Sequence, residues 1–218
     1  MTVTIATWNS RGNPANDEGK KQVLADLFRR AHIVLIQECG QLVWPGAWVY
    51  RSIHAGAFNE RCNSCIISKV ELKAPSLGTL PSSNGRAFSH GTVKDAEGSF
   101  VVATLHANAS YDAALDGRTA LQELSSVYKD APIVVGGDFN VEPIYLSAEG
   151  TRSVHVGSST RGCDFHVACT SGPAHTSGHL LDYFVLNPLL ASENTQPYHL
   201  WGGSDHRPVL TTVKRRSA

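Results

Sequence analysis

The stretch Ile133-Val134-Val135-Gly136-Gly137-Asp138-Phe139-Asn140 carries the reading of the whole chain. Ile133 to Val135 is a short apolar run with the composition of a buried strand. Gly136 and Gly137 let the backbone turn sharply or approach a ligand closely. Asp138 follows, with Asn140 two positions on; on extended backbone their side chains share a face. A carboxylate beside an amide can take a proton from water and orient that water or a phosphate oxygen. An Asx turn closing the strand is the plainer alternative.

Comparable runs lie on both sides of this one. Thr2 to Thr7 alternates Val3 and Ile5 with threonine, a strand pattern. Further strands are expected at Ile33–Gln37, Ala47–His54, Ser64–Lys69, Ala87–Val93, Phe100–Leu105, Leu180–Leu186 and Pro208–Val213. Lys20–Arg30 puts Val23, Leu24, Leu27 and Phe28 on one helical face, and Leu115–Tyr128 spaces Leu121, Leu124 and Tyr128 likewise. Strands outnumber helices, and the helices fall between strands. Two sheets packed face to face with helices outside fit this order. No repeat, charge block or linker-like stretch divides the 218 residues, so a single domain over 1–218 is expected.

Lys plus Arg and Asp plus Glu each number 19, giving zero formal charge. That excludes a nucleic-acid binder resting on bulk positive charge; any basic footprint is local. At 42% hydrophobic and 17% charged residues the chain is globular, not disordered. No apolar run has the length of a transmembrane helix. Met1 to Asn9 reads as a strand and not as a signal peptide. The 5 cysteines, an odd count, leave at least one free thiol. Cys62 and Cys65 form a CxxC with no second pair of ligands, which reads as two strand positions on opposite faces in preference to a zinc site. A Cys163–Cys169 bridge across a loop stays open. The pair Trp44 and Trp48 reads as core, with an exposed apolar loop as the alternative.

Polar groups recur at the ends of the buried runs. Asn9 follows the first strand, Glu38 follows Ile33–Gln37, and His106 follows Phe100–Leu105. Asp138 and Asn140 follow Ile133–Gly137, Asp182 sits inside Leu180–Leu186, and Asp205-His206 precedes Pro208–Val213. One such residue is usually a cap or a turn former. If these strand ends share one side, the acids, amides and imidazoles converge on a pocket fit for metal-assisted chemistry. Asp205 beside His206 offers a ligand and a proton carrier near neutral pH. Glu38, with Asn or Asp nearby, suits a sparse Mg²⁺ site that keeps several waters.

In this order, Trp8-Asn9, Gln37-Glu38, Gly137-Asp138-Phe139-Asn140 and Ser204-Asp205-His206 resemble the endonuclease/exonuclease/phosphatase superfamily, which includes deoxyribonuclease I. Within it, Ala6-Thr7-Trp8-Asn9, Gln37-Glu38-Cys39-Gly40, Leu105-His106-Ala107, Leu181-Asp182-Tyr183 and Ser204-Asp205-His206 look like the nuclease subunits of cytolethal distending toxins. The resemblance implies a deoxyribonuclease I-like α/β (α+β) fold, a four-layer sandwich of two mostly antiparallel sheets with helices outside. It implies a Mg²⁺-dependent phosphodiesterase, Mn²⁺ or Ca²⁺ being substitutes, that cleaves DNA without sequence specificity. Carrier subunits would be partners, and the chain would be a secreted or delivered effector. A phosphoinositide phosphatase or sphingomyelinase-like activity is the alternative, and a catalytically dead binding module a third.

The resemblance also implies roles. His106 and His206 form the acid/base pair, Asp182 holds His206, and Asp138 and Asn140 position water and a phosphate oxygen. Glu38, Asn9 and Asp205 hold the metal. Arg86 and Arg118 contact phosphate, with Arg61 a further candidate for the DNA backbone. The Glu that orients the first His in deoxyribonuclease I has no clear counterpart, since at the matching strand Arg61 fits the register better than Glu60. Residues 142–179 match no family segment.

Overall fold

The structure, a computed structural model, describes residues 2–52, 63–80, 86–95, 98–109, 112–147, 151–157 and 162–216. The elements run β1 (Thr2–Asn9), α1 (Glu18–Arg30), β2 (Ile33–Gln37), β3 (Trp48–Arg51), β4 (Cys65–Ser68), β5 (Lys73–Thr79), β6 (Ala87–Asp95), β7 (Gly98–His106), α2 (Ala113–Val127), β8 (Ile133–Asp138), α3 (Pro143–Leu146), β9 (Ser153–Val156), β10 (Cys163–Ala168), β11 (Asp182–Leu186), β12 (Leu190–Pro197) and β13 (Val209–Arg215). One sheet has the order β12-β13-β1-β2-β4-β3 and the other β5-β6-β7-β8-β11-β10-β9. Among the described residues only β1–β2 and β7–β8 pair in parallel, and every other strand pairing is antiparallel.

Strand periodicity sorts the apolar side chains into layers. Val3, Ile5, Ile33 and Leu35 face Val102, Val134, Phe184 and Leu186 between the two sheets. Ala6, Trp8, Val34 and Ile36 point the other way, onto Val23, Leu24 and Leu27 of α1. On the far side, Val101, Ala103, Ile133 and Val135 meet Ala120, Leu121 and Leu124 of α2. The architecture is thus helix, sheet, sheet, helix. Asp17 starts α1 by accepting the Lys20 N–H at 2.9 Å, and Ala31, in extended conformation, ends it.

The parallel pairs decide where function sits. β1 and β2 end together, in the register Asn9↔Gln37, and β7 and β8 end together, in the register His106↔Asp138. The antiparallel β11 and β13 begin where those strands end, with Asp182 opposite Asp138 and Val209 opposite Thr7. One rim of the sandwich therefore collects the ends of β1, β2, β7 and β8 and the starts of β11 and β13. Beneath it, Gln37 Nε2 crosses between the sheets to Thr104 Oγ1 at 2.9 Å and reaches Thr7 Oγ1 at 3.2 Å. These bonds satisfy a fully buried amide and fix the relative slide of the two sheets.

Several expectations are corrected. Strands β5, β9, β10 and β12 are present where none was expected. β5 and β12 are mostly solvent-facing edge strands, so neither carries a sustained apolar alternation. The strand expected at Ala47–His54 is β3, with His54 outside the described residues. Cys163 and Cys169 are free thiols and form no bridge. Cys65 is buried and free, while Cys62, Glu60 and Arg61 lie outside the described residues. Trp48 is 50% exposed and Val43 70%, while Trp44 packs partly against the α1 layer. Among the described residues no helix is long and apolar enough to cross a membrane.

Candidate active site

The rim brings the expected residues together. Asp138, at the end of β8, is buried, and its Oδ2 accepts the Asn9 Nδ2–H at 2.9 Å. His106 Nε2 lies 3.8 Å from the same oxygen and His206 Nε2 3.7 Å. His206 Nδ1 is bonded to Asp182 Oδ2 at 2.7 Å. The loop carrying His206 is tied to β1 by Trp8 Nε1–H, which donates to the His206 carbonyl at 3.1 Å. Ser204 Oγ adds a second tie, donating to the Asn9 carbonyl at 2.7 Å and accepting the His206 N–H at 3.1 Å.

Burial and charge set distinct protonation states. Burial, then the positive charges of Arg86 and His206, pushes His106 down to about 3. Burial opposes charge on His206 too, but the Asp182, Asp138 and Asp205 carboxylates override it and raise the ring to about 9. Burial and then the Asp182 charge lift Asp138 to about 6, while His206 and the Asn9 and Asn140 donors pull it back. Burial likewise pushes Asp182 up against the pull of His206. At neutral pH the rim holds a neutral His106, a cationic His206 and an ionised Asp138.

Three residues here adopt left-handed backbone without being glycine: Arg11 at φ 49°, Glu38 at φ 54° and Asn140 at φ 50°. Such strain concentrates at functional sites. For Asn140 it replaces the shared-face argument of extended backbone. The turn instead lets the Asn140 N–H donate to Asp138 Oδ1 at 2.9 Å, so the Asx turn and the functional pairing coexist. Asn140 Nδ2 and Arg86 Nη1 both donate to the Ala107 carbonyl, at 2.9 and 2.8 Å, which seats both next to His106. Arg118, on α2, donates instead to the Leu146 carbonyl at 3.2 Å. Among the described residues it makes no hydrogen bond or ion pair with the His106–Asp138–His206 group.

The expected metal ligands are oxygen donors, the preference of Mg²⁺. Glu38 Oε1 lies 3.4 Å from Asn9 Nδ2, and Asn9 Oδ1 accepts the Arg11 N–H at 3.0 Å, leaving one lone pair. Asp205 pairs with Arg11 Nη1 at 3.2 Å. Two carboxylates and one amide oxygen are the donor types that a sparse hard-ion site uses. Tighter groupings also occur: His175, Asp205 and His206, and Asp138, Asp182 and His206, each place three potential ligand atoms within 4.8 Å of one another.

His175 is the residue that sequence reasoning missed. It bridges to His206 as an isolated antiparallel pair, and the two rings meet edge-on at 4.4 Å. Burial, then the charge of His206, lowers its pKa. The available signal was position: it stands in a Gly/Ser-rich loop just ahead of Leu181-Asp182.

No protein of the curated set matches the chain. Solved structures match over nearly the full length. CdtB, described as the biologically active subunit of cytolethal distending toxin, is 20% identical at a TM-score of 0.65, covering 98% of each chain. The cytolethal distending toxin of Actinobacillus actinomycetemcomitans is 20% identical at 0.70, covering 98% of each chain. The human nocturnin catalytic domain with bound sulfate is 16% identical at 0.72, covering 99% of this chain and 95% of that one. At these identities the likeness establishes the fold, a deoxyribonuclease I-like sandwich. The model of the endonuclease/exonuclease/phosphatase family matches residues 6–206, which takes in every strand-end residue from Asn9 to His206. The chain belongs to the endonuclease/exonuclease/phosphatase family.

Proposed function

We propose that this chain is a Mg²⁺-dependent phosphodiesterase that nicks DNA without sequence specificity, as a nuclease of the cytolethal distending toxin type. The observation that carries the reading is a pair of imidazoles near one carboxylate oxygen: His106 and His206 lie 3.8 and 3.7 Å from Asp138 Oδ2, with His106 pushed toward the neutral form and His206 toward the cation. Hydrolysis needs one group to accept a proton and another to donate one.

Water attacks phosphorus in line with the leaving ester oxygen. Neutral His106 takes the water proton at Nε2 as the new P–O bond forms. Cationic His206 gives its Nε2 proton to the departing oxygen as the ester bond breaks, leaving a phosphomonoester and a hydroxyl. Asp182 keeps His206 protonated and oriented through its Nδ1. Asp138, held by Asn9 and Asn140, orients the water, while Arg86 and Asn140 face the phosphate oxygens. Arg118 contacts the nucleic-acid backbone farther along α2. Glu38, Asp205 and Asn9 Oδ1 would hold the Mg²⁺, which when bound neutralises charge developing on the phosphate. Carrier subunits and delivery into a target cell belong to the same reading, on the likeness to CdtB.

A second reading, hydrolysis of a phosphoinositide or sphingolipid phosphoester, is favoured by exposed Val43 and Trp48 in the segment after Glu38. Nicking of supercoiled plasmid in Mg²⁺, with EDTA as control, separates the two. Mg²⁺-dependent nicking by the wild type, lost in His106→Ala, supports the nuclease. A folded wild type that leaves plasmid intact but hydrolyses phosphoinositide or sphingomyelin vesicles replaces it with the lipid reading.

A further inference from the structure

Ser177 meets His175 Nδ1 twice, with its hydroxyl oxygen at 2.5 Å and its main-chain N–H, and the main-chain contact selects the tautomer. The ring Nδ1 accepts the main-chain N–H of Ser177 at 3.0 Å. A backbone N–H only donates, so the neutral ring carries its proton on Nε2. That Nε2–H points toward the rim: it lies 3.9 Å from Asp205 Oδ2, beyond hydrogen-bond reach, and the side chain is 18% exposed. Asp205 is paired with Arg11 Nη1 at 3.2 Å, which offsets part of its repulsion toward an incoming anion. The backbone bridge to His206 and the edge-on ring contact hold the two imidazoles as one unit.

The grouping of His175, Asp205 and His206 within 4.8 Å has the composition of a transition-metal site. The tautomer argues against that use. A metal on His175 Nε2 needs the lone pair there, forcing the proton to Nδ1, against the Ser177 N–H. A ring N–H facing the rim beside the His206 ring suits an oxyanion instead, since two imidazole N–H groups this close can bond two oxygens of one tetrahedral anion at about 2.7–3.2 Å each.

We propose that His175 is a third phosphate-binding imidazole, whose Nε2–H, fixed by Ser177, donates to a non-bridging oxygen of the phosphoester held between His106 and His206. This rests on the phosphoester reading of the site for its substrate, while the geometry it uses is that of the loop carrying His175 and Ser177. His175 lowers the cost of binding the anion without changing its own proton count.

The test is titration of ¹⁵N-histidine-labelled protein with inorganic phosphate in Mg²⁺ buffer. The expected result is a His175 ring protonated at Nε2 whose signal moves with phosphate. His175→Ala weakens phosphate binding about tenfold or more. His175→Gln, which restores an N–H near the Nε2 position, recovers most of the loss. An Nδ1-protonated ring, a wild type indifferent to phosphate, or an alanine variant that binds as tightly as wild type overturns the proposal. So does a glutamine variant as weak as alanine, which would make His175 a metal ligand or proton carrier. Plasmid nicking on the same samples separates the two ideas. The phosphate pattern without nicking keeps His175 and discards the nuclease. Nicking without the phosphate pattern does the reverse.

Discussion

Asp182 stands directly opposite Asp138 across the antiparallel β11–β8 pair, and both carboxylates are buried. Like charges in this register repel, and burial removes the water that would screen them. His206 resolves the conflict by placing Nδ1 on Asp182 at 2.7 Å and Nε2 toward Asp138 at 3.7 Å. One cation serves two anions. Asp182→Asn removes the acceptor that keeps His206 charged and in one orientation, while preserving the shape of the side chain. Plasmid-nicking rates are expected to fall about 10²- to 10⁴-fold with far-ultraviolet circular dichroism unchanged. Unaltered rates would remove His206 from proton transfer.

The two glycines ahead of Asp138 differ sharply in what they tolerate. A Cβ on Gly137 would sit 1.9 Å from the Leu105 carbonyl oxygen, in the parallel pair that aligns His106 with Asp138. A Cβ on Gly136 would instead meet the Phe184 ring at 2.6 Å and Leu35 Cδ1 at 2.7 Å, side-chain atoms that can shift. Gly136→Ala is therefore expected to cost about 1–3 kcal/mol in urea denaturation. Gly137→Ala, forcing backbone apart, is expected to cost more and to abolish nicking even where protein folds. Equal costs would contradict the close strand approach.

The sequence was legible where burial is two-sided or where chemistry repeats at strand ends. β2 and β8 are buried along their length, so their apolar runs stand out. The convergence of Asn9, Glu38, His106, Asp138, Asp182 and His206 was legible only as a condition, that the strand ends share one side; the strand partners that meet it come from the structure. β5 and β12 left no trace because edge strands facing water need no apolar alternation. His175 stayed hidden for a different reason: its place depends on a single bridge to His206 from an irregular loop, which no local periodicity encodes. The turn at Asn140 was half legible: an Asx turn was one of two readings of Asp138-Phe139-Asn140, but the left-handed backbone that lets it coexist with the functional pairing was not.

His106 ties acid sensitivity to the site. Its folded pKa is about 3 against an ordinary 6.5, so between those values the unfolded chain binds a proton that the folded chain refuses. The stability it contributes is present above pH 6.5 and is lost as pH falls, by up to roughly 1.4 kcal/mol per pH unit. Its buried Nδ1 has no hydrogen-bond partner among the described residues, a further cost of keeping an imidazole there. His106→Leu is expected to be inactive yet more acid-stable than wild type. Between pH 7 and pH 5 the gap in urea-denaturation free energy should widen by up to about 2 kcal/mol. A constant gap would mean that the buried ring already carries a proton.

On the proposed nuclease reading, Arg86 is where DNA affinity and proton chemistry meet. Its guanidinium donates to the Ala107 carbonyl and lies close enough to His106 to depress its protonation. In a chain of zero formal charge, each well-placed arginine carries a large share of the attraction to phosphate. Arg86→Ala is expected to raise KM for DNA about tenfold and to reduce the slope of log binding against log salt by about one. Arg86→Lys keeps the charge but loses the two-pronged fork, so it should restore the salt slope without restoring KM. The same alanine variant frees His106 from a neighbouring positive charge, so the ring should protonate at a higher pH and the acid limb of the pH–rate profile should move up. A salt slope unchanged by Arg86→Ala would take the residue off the phosphate and leave it a purely structural partner of Ala107.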